Sequence, residues 1–163
     1  RTEPLLQLGS TLGEGAHGLV VEAESGSSAS QPSSSRLAVK MCRVSAEGSQ
    51  ADDERSSLEA VMWEVEVLRR LRGHEHIVKL CDVIELADAV FVVMERIEGP
   101  CLLEHIHAQP DRMLAEASAR HFFRHILAAL RHAHSRGYLH CDVKPGNVRL
   151  QEYRDGSMSA GLG

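Results

Sequence analysis

Three stretches of this 163-residue chain bring together residue types that can do chemistry. The densest is Leu139-His-Cys-Asp-Val-Lys-Pro-Gly-Asn147, where a carboxylate, an ammonium and an amide fall close together on one loop. Asp142 could orient a hydroxyl nucleophile and receive its proton. Lys144 could neutralise a transferring phosphoryl group, and Asn147 offers a carbonyl oxygen to a hard divalent ion such as magnesium. Loops holding Asp, Lys and Asn are common, but this order directly after a histidine is not.

The second stretch is Ala38-Val39-Lys40, a lysine embedded in apolar sequence. Burying an ammonium is costly unless it meets negative charge. Nucleotide phosphates and a helix carboxylate would both suit it, and Val61-Met-Trp-Glu-Val-Glu-Val-Leu68 offers Glu64 and Glu66. Glu64 borders the apolar stripe of that helix and Glu66 lies nearer its solvent face. Standing alone, Lys40 would read as a snorkelling surface lysine.

The third stretch is Gly13-Glu-Gly-Ala-His-Gly18, followed by Val20. Glycines at this spacing let backbone amides approach phosphate oxygens without side-chain obstruction. By itself the pattern is weak, since a ligand-free hairpin or a dinucleotide fingerprint would show it too. The fingerprint needs a helix directly after the glycines, whereas Leu19-Val-Val-Glu-Ala23 reads as strand.

The elements that must position these groups follow from periodicity and punctuation. Residues 5–23 read as two strands around the glycine turn, residues 25–35 as a serine-rich connection, and residues 36–43 as a strand carrying Lys40. The polar stretch 45–57 leads into an amphipathic helix whose Leu58, Val61, Val65, Leu68 and Leu71 recur at helical steps. Residues 77–86 and 90–97 read as strands joined at 87–89, and Gly99-Pro100 marks a domain boundary. A short helix over 102–108 and a long one over 114–135 follow, the latter expected to bury Phe122, Ile126, Leu127 and Leu130. Residues 138–150 are loop and short strand, with a turn at Asp155-Gly156.

Bulk composition bounds the function class. A net charge of -5 argues against a nucleic-acid binder that relies on a broad basic surface. The four cysteines are scattered, without a Cys-x-x-Cys pair, so they read as free thiols in a reducing, intracellular compartment (cytoplasmic or nuclear) rather than as a disulfide or zinc framework. No apolar run is long enough to span a bilayer. His121 and His125 have an i, i+4 spacing that can bind metal, but no third ligand is evident, and packed or solvated helix histidines are the better reading. His132 and His134 suit a helix C-terminus.

In order and spacing, the motifs above resemble a eukaryotic protein kinase of the serine/threonine type over about residues 5–150. His74-Glu-His-Ile-Val-Lys-Leu80 and Val90-Phe-Val-Val-Met-Glu-Arg-Ile97 add to the match. The resemblance implies an α+β, bilobal fold: a five-stranded antiparallel N-lobe sheet with one regulatory helix over residues 1–97, and an incomplete helical C-lobe over 98–163. It implies ATP and Mg2+ as cofactors and a protein Ser or Thr hydroxyl as acceptor, with neither nucleic acid nor membrane as partner. Gly13, Gly15 and Gly18 would cover the phosphates; Lys40 would hold them and pair with Glu64. Leu12, Val20 and Ala38 would line the adenine, with Met94 as gatekeeper and the backbone of Glu95 and Ile97 at the adenine edge. Asp142 would be the catalytic base, Lys144 the γ-phosphate contact and Asn147 the magnesium ligand. A lysine two residues after the aspartate favours Ser/Thr acceptors over tyrosine.

The sequence departs from the family pattern at four places. The Asp-Phe-Gly motif is not in the chain, which is expected to stop just before it and, as it stands, to transfer little phosphate. Arg149 falls where relatives carry an apolar residue beneath the adenine, and its head must escape to solvent. Cys101 stands in the region of a ribose-binding acid. Cys141 replaces an arginine that pairs with phosphorylated activation loops, a bidentate contact that a thiol cannot make. The alternative reading is a pseudokinase or kinase-derived scaffold that binds nucleotide or partners without catalysis.

Overall fold

The computed structural model describes residues 6–15, 18–25, 36–43, 51–153 and 155–163. The serine-rich connection after Ser25, the loop tip carrying His17 and the polar residues 44–50 lie outside the described residues. Two compact units are present, Arg1–Arg69 with Lys79–Arg96, and Arg70–Val78 with Ile97–Gly163. The stretch 70–78 therefore falls in the second unit, although the sequence reading grouped it with residues 1–97.

The first unit is built on a five-stranded sheet in the order β1-β2-β3-β5-β4. Its strands are β1 (Leu6–Gly15), β2 (Gly18–Ser25), β3 (Arg36–Arg43), β4 (Leu80–Glu85) and β5 (Ala89–Glu95), and every neighbouring pair is antiparallel. One helix, α1 (Ala51–Leu71), interrupts the strands. Side chains alternate between sheet faces, and β3 shows the consequence. Val39 is fully buried on one face with Val21, Ala23 and Val93. Cys42 lies on the other with Val90, Val92 and the α1 residues Val61 and Val65. Cross-strand partners share a face, so Val20 opposite Lys40, and Met94 opposite Ala38, belong to the α1 side.

The second unit contains α2 (Leu102–His107), α3 (Glu116–His134), a short 3-10 turn (Pro145–Asn147), and the hairpin β6 (Val148–Glu152) and β7 (Met158–Leu162). Its core gathers Leu102, Phe122, Ala129, Val148, Leu150, Ala160 and Leu162. Gly99 runs so close to β6 that a Cβ there would sit 1.8 Å from the Leu150 carbonyl oxygen, a contact only glycine permits.

Several element expectations need correction. Helix α1 starts at Ala51, a turn and more before the apolar stripe begins, because Ala, Asp, Glu and Arg extend a helix without needing burial. Strand β4 begins at Leu80; upstream of it, Ile77 makes only an isolated parallel bridge to Leu162. Strand β7, unassigned from sequence, exists because Ala160 and Leu162 complete the core face opposite β6. On α3, Phe122 is buried and Ile126 and Leu130 pack against the core, but Leu127 is 48% exposed. Ala129 and Ala133 are buried in its stead, small residues letting the helix approach its neighbours.

Candidate active site

Lys40 reaches its position through strand alternation: with Val39 turned into one core, Lys40 must project to the α1 face. There its Nζ lies 2.5 Å from Glu64 Oε2. Val61 and Val65 are buried against the sheet, and Glu64, one residue before Val65, is carried along the edge of that buried stripe. The sequence reading paired Lys40 with Glu64 rather than Glu66, and the ion pair is made with Glu64. Lys40 is largely buried, with 15% of its side chain exposed, so its ammonium is committed to this partnership rather than snorkelling. Nearby, burial pushes the Cys42 thiol up, against the opposing pull of Lys40.

The glycine turn is partly described. Gly13 pairs with Val20 and Gly15 with Gly18, closing β1 onto β2. The glycines differ in why they are glycine. Gly18 has φ +131, and a Cβ there would lie 2.3 Å from the Met41 carbonyl oxygen, so the fold itself requires it. A Cβ on Gly13 would meet nothing within 4 Å. No neighbour among the described residues demands glycine at that position. Leu12, Val20, Ala38 and Met94 are half-buried, Val20, Ala38 and Met94 all on the Lys40 face of the sheet.

Glu95 closes β5 and fastens the start of β4. Its amide donates to the Lys79 carbonyl at 3.0 Å, and its Oε1 accepts from the Lys79 amide at 2.9 Å. Arg96 then pairs with Glu22 of β2 at 2.9 Å. In the second unit, the Ile97 side chain lies against Gly161, where a Cβ would come within 3.3 Å of it.

The loop 139–147 is organised around Asp142. Lys144 Nζ donates to Asp142 Oδ2 at 2.8 Å, and Asn147 Nδ2 donates to the same oxygen and to the Asp142 carbonyl, both at 2.9 Å. Hydrogen bonds from Lys144 first and Asn147 second hold the Asp142 carboxyl below its ordinary value. With Asn147 Nδ2 committed, its Oδ1 is the amide's remaining acceptor. The 3-10 turn that carries Asn147 is closed by its own amide donating to the Lys144 carbonyl.

His140 contributes more than its place in the motif suggested. Its Nδ1 accepts from the Asp142 amide and its Nε2 faces the Gly163 carbonyl, each at 3.2 Å. Gly163 in turn donates to the Asn147 carbonyl at 3.2 Å. Between them, Cys141 is held at φ 61, an uncommon conformation for a residue with a side chain. Asp142 is thus fixed by backbone on one side and by Lys144 and Asn147 on the other.

Two of the departures, Cys101 and Arg149, acquire a local explanation. Cys101 caps α2: its Sγ accepts from the Glu104 amide at 3.4 Å while Glu104 Oε2 accepts from the Cys101 amide at 2.7 Å. This reciprocal capping box was missed because cysteine replaces the usual serine or threonine; the Cys-x-x-Glu spacing was its visible trace. The same amide contact lowers the Glu104 carboxyl. Arg149 lies on the exposed face of β6, between the inward-facing Val148 and Leu150, so its head does escape. Among the described residues no cluster of three or more His, Cys, Asp or Glu could hold a metal ion.

The family model of the protein kinase domain matches residues 6–157. With its five-stranded antiparallel sheet, single inserted helix, Lys40–Glu64 pair and Asp142 loop, the chain belongs to the protein kinase domain family. Among curated relatives, it is 39% identical over 92 residues to CBL-interacting protein kinase 22 of Oryza sativa subsp. japonica, covering 56% of this chain and 20% of the relative. It is 46% identical over 91 residues to CDPK-related kinase 4 of Arabidopsis thaliana, covering 56% and 15%. It is 41% identical over 87 residues to human serine/threonine-protein kinase ULK1, covering 53% and 8%. The matched stretch is thus a fifth or less of each relative's length. Among the described residues, no helix is long and apolar enough to cross a membrane.

Proposed function

We propose that this chain carries nucleotide-binding and hydroxyl-activating residues of an ATP-dependent protein serine/threonine kinase. The observation that bears most weight is the Asp142–Lys144–Asn147 cluster on one loop, with the Lys144 and Asn147 side chains both turned onto the Asp142 carboxylate. The Lys40–Glu64 pair supports it independently.

In this reading Gly13, Gly15 and Gly18 present backbone to the nucleotide phosphates, and Lys40, steadied by Glu64, binds them through Nζ. Leu12, Val20, Ala38 and Met94 supply apolar surface to the adenine, and the Glu95 carbonyl and Ile97 amide its polar edge. Asp142 orients the acceptor hydroxyl. Its Oδ2 already receives two donors, so Oδ1 takes the proton, late in a transfer whose transition state is largely dissociative. Lys144 leaves Asp142 to meet the charge of the phosphoryl group as it moves. Magnesium, when bound, supplies neutralisation of the phosphate charges. Asn147 Oδ1 is a hard oxygen donor that fits such an ion, which takes most of its remaining ligands from phosphate and water. Serine or threonine acceptors are supported by Lys144, two residues after Asp142, and by the relatives' names.

Titration of the chain with magnesium–ATP, followed calorimetrically, tests the binding half; a phosphotransfer assay on the full-length protein that carries it tests the other. Lys40→Met is expected to weaken binding about tenfold or more, the equivalent of roughly 1.4 kcal/mol. Asp142→Asn is expected to leave binding within about threefold and abolish transfer, since Asp142 serves the transition state and not the ground state. Binding without transfer in the wild-type full-length protein favours the scaffold reading. No nucleotide binding at all sinks the kinase reading and leaves only a scaffold that docks partners.

A further inference from the structure

Apart from the candidate active site, five imidazoles form a continuous contact chain in the second unit: His121, His125, His76, His74 and His132. His76 stacks on His125 with centroids 4.1 Å apart and planes 14° from parallel. His74 approaches His132 at 4.6 Å, and His121 approaches His125 at 4.3 Å. His76 is itself buried, 8% exposed. The rings join three segments: the connection 74–78, helix α3 and strand β7.

The hydrogen bonds of two of these rings, His125 and His74, require them to be neutral. His125 Nδ1 accepts from the Ala160 amide of β7 at 3.1 Å, and His74 Nδ1 accepts from the His76 amide at 3.2 Å. A backbone amide can only donate, so neither Nδ1 can carry a proton while these bonds exist. His132 Nδ1 faces the Arg136 guanidinium at 3.2 Å, and among the described residues His132 Nε2 is buried without a hydrogen-bond partner. His76 Nδ1 meets Ser159 Oγ at 3.2 Å, and His121 Nε2 meets the Met158 carbonyl at 2.7 Å. The charged groups facing the cluster include Glu75 and Arg136, with Glu116, Arg120 and Arg124 around His121 at its outer end; β7 contributes none. Glu75, 3.8 Å from His76 Nε2, is 84% exposed, too solvated to offset several imidazolium charges, and Glu116, equally exposed, is paired with Arg120.

The same segment is tied to β7 by backbone. The Val78 amide donates to the Leu162 carbonyl at 3.0 Å, and the Leu162 amide to the His76 carbonyl at 2.9 Å. We propose that the histidine chain is an acid-sensitive latch: neutral, it fastens residues 74–78 to α3 and β7, and protonated, it releases them. Release would act on α1 through chain continuity, because α1 ends at Leu71, immediately upstream. This inference does not depend on the catalytic reading.

The sign follows from linkage. Burial first, and neighbouring histidines second, hold both His74 and His125 below the usual imidazole range. Such rings contribute stability that is fully present above the ordinary value of about 6.5 and is lost as pH falls toward the folded value. Opening that lets one ring take up a proton becomes about tenfold easier between pH 7.5 and 5.5, and for two rings about a hundredfold.

Hydrogen exchange of the Val78, Ala160 and Leu162 amides, corrected for intrinsic rates, measures this opening directly. In the wild-type chain, protection is expected to fall about a hundredfold over that pH range. His74→Gln and His125→Gln each keep an acceptor but remove one titrating ring, reducing the fall to about tenfold, and the double variant flattens it. His107→Gln, on exposed α2, should change nothing. Should a variant fail to fold, nitrogen-15 shifts of the wild-type imidazoles decide: His74 and His125 must be Nε2–H tautomers titrating below about 6.5. Protection that varies less than about twofold with pH, or Nδ1–H tautomers at these two positions, overturns the latch.

Discussion

Lys40 of β3 and Glu64 of α1 meet at 2.5 Å although 24 residues separate them. The pair joins the middle of a strand to the middle of a helix within one compact unit, so it reports whether α1 is seated on the sheet. Its consequence for stability is modest: Glu64 keeps 39% of its side chain exposed, and solvent screens what the charges gain. On the proposed nucleotide-binding reading, its consequence for binding is larger. Glu64→Gln should change the melting temperature by no more than a few degrees while weakening magnesium–ATP binding severalfold. Calorimetric affinity beside thermal melting checks both; a large melting shift with unchanged affinity contradicts the assignment.

Gly13 and Gly18 should separate cleanly. Gly18→Ala forces a Cβ onto the Met41 carbonyl at a positive φ, and is expected to destabilise the chain by about 1–3 kcal/mol. Gly13→Ala enters open space and should leave stability within about 0.5 kcal/mol while weakening nucleotide binding. Denaturant melts and ATP titrations on the two variants give the comparison.

The Asp142 carboxyl is held below its ordinary value by Lys144 first and Asn147 second. A depressed carboxylate stays ionised as pH falls, so loss of charge at Asp142 lies below about pH 3.9 and does not set the acid limb of activity near neutrality. Lys144→Met should raise the Asp142 titration toward that ordinary value, and Asn147→Ala by less. Carbon-13 carboxyl shifts followed against pH measure all three proteins.

Helix α3 offers a paired test of its corrected face. Phe122 sits in the second-unit core, and Phe122→Ala should cost about 3–5 kcal/mol. Leu127, adjacent to the core stripe yet exposed, should tolerate Leu127→Ala within about 0.5 kcal/mol. Equal losses at the two positions would mean that Leu127 has a partner.

Much of the fold was legible because its signals are local. Strand β3 was assigned over residues 36–43 and is found there, and the stripe Val61, Val65, Leu71 is buried as its periodicity required. Boundaries were harder where a residue's preference and its neighbours disagree. Nothing in Ile77-Val-Lys distinguishes a strand from a connection that merely bridges to Leu162, and Met158–Leu162 becomes a strand only because Val148 and Leu150 need a partner. Leu127 and Ala129 show the same limit on a helix: hydrophobicity ranks leucine first, whereas close approach of the helix to its neighbours buries the alanine.

Sequence by itself determined the order of the chemistry-bearing residues, the strand or helix each rides on, and the family their spacing resembles. These depend on short-range periodicity and turn chemistry, which a chain carries in its local composition. Tertiary structure turned Asn147 and Lys144 onto Asp142, gave Cys101 a capping role and gathered five scattered histidines into one contact chain. Those outcomes depend on which side chains converge from distant parts of the chain, and on the distance and direction of each hydrogen bond. Residue spacing does not encode such geometry until the core has formed.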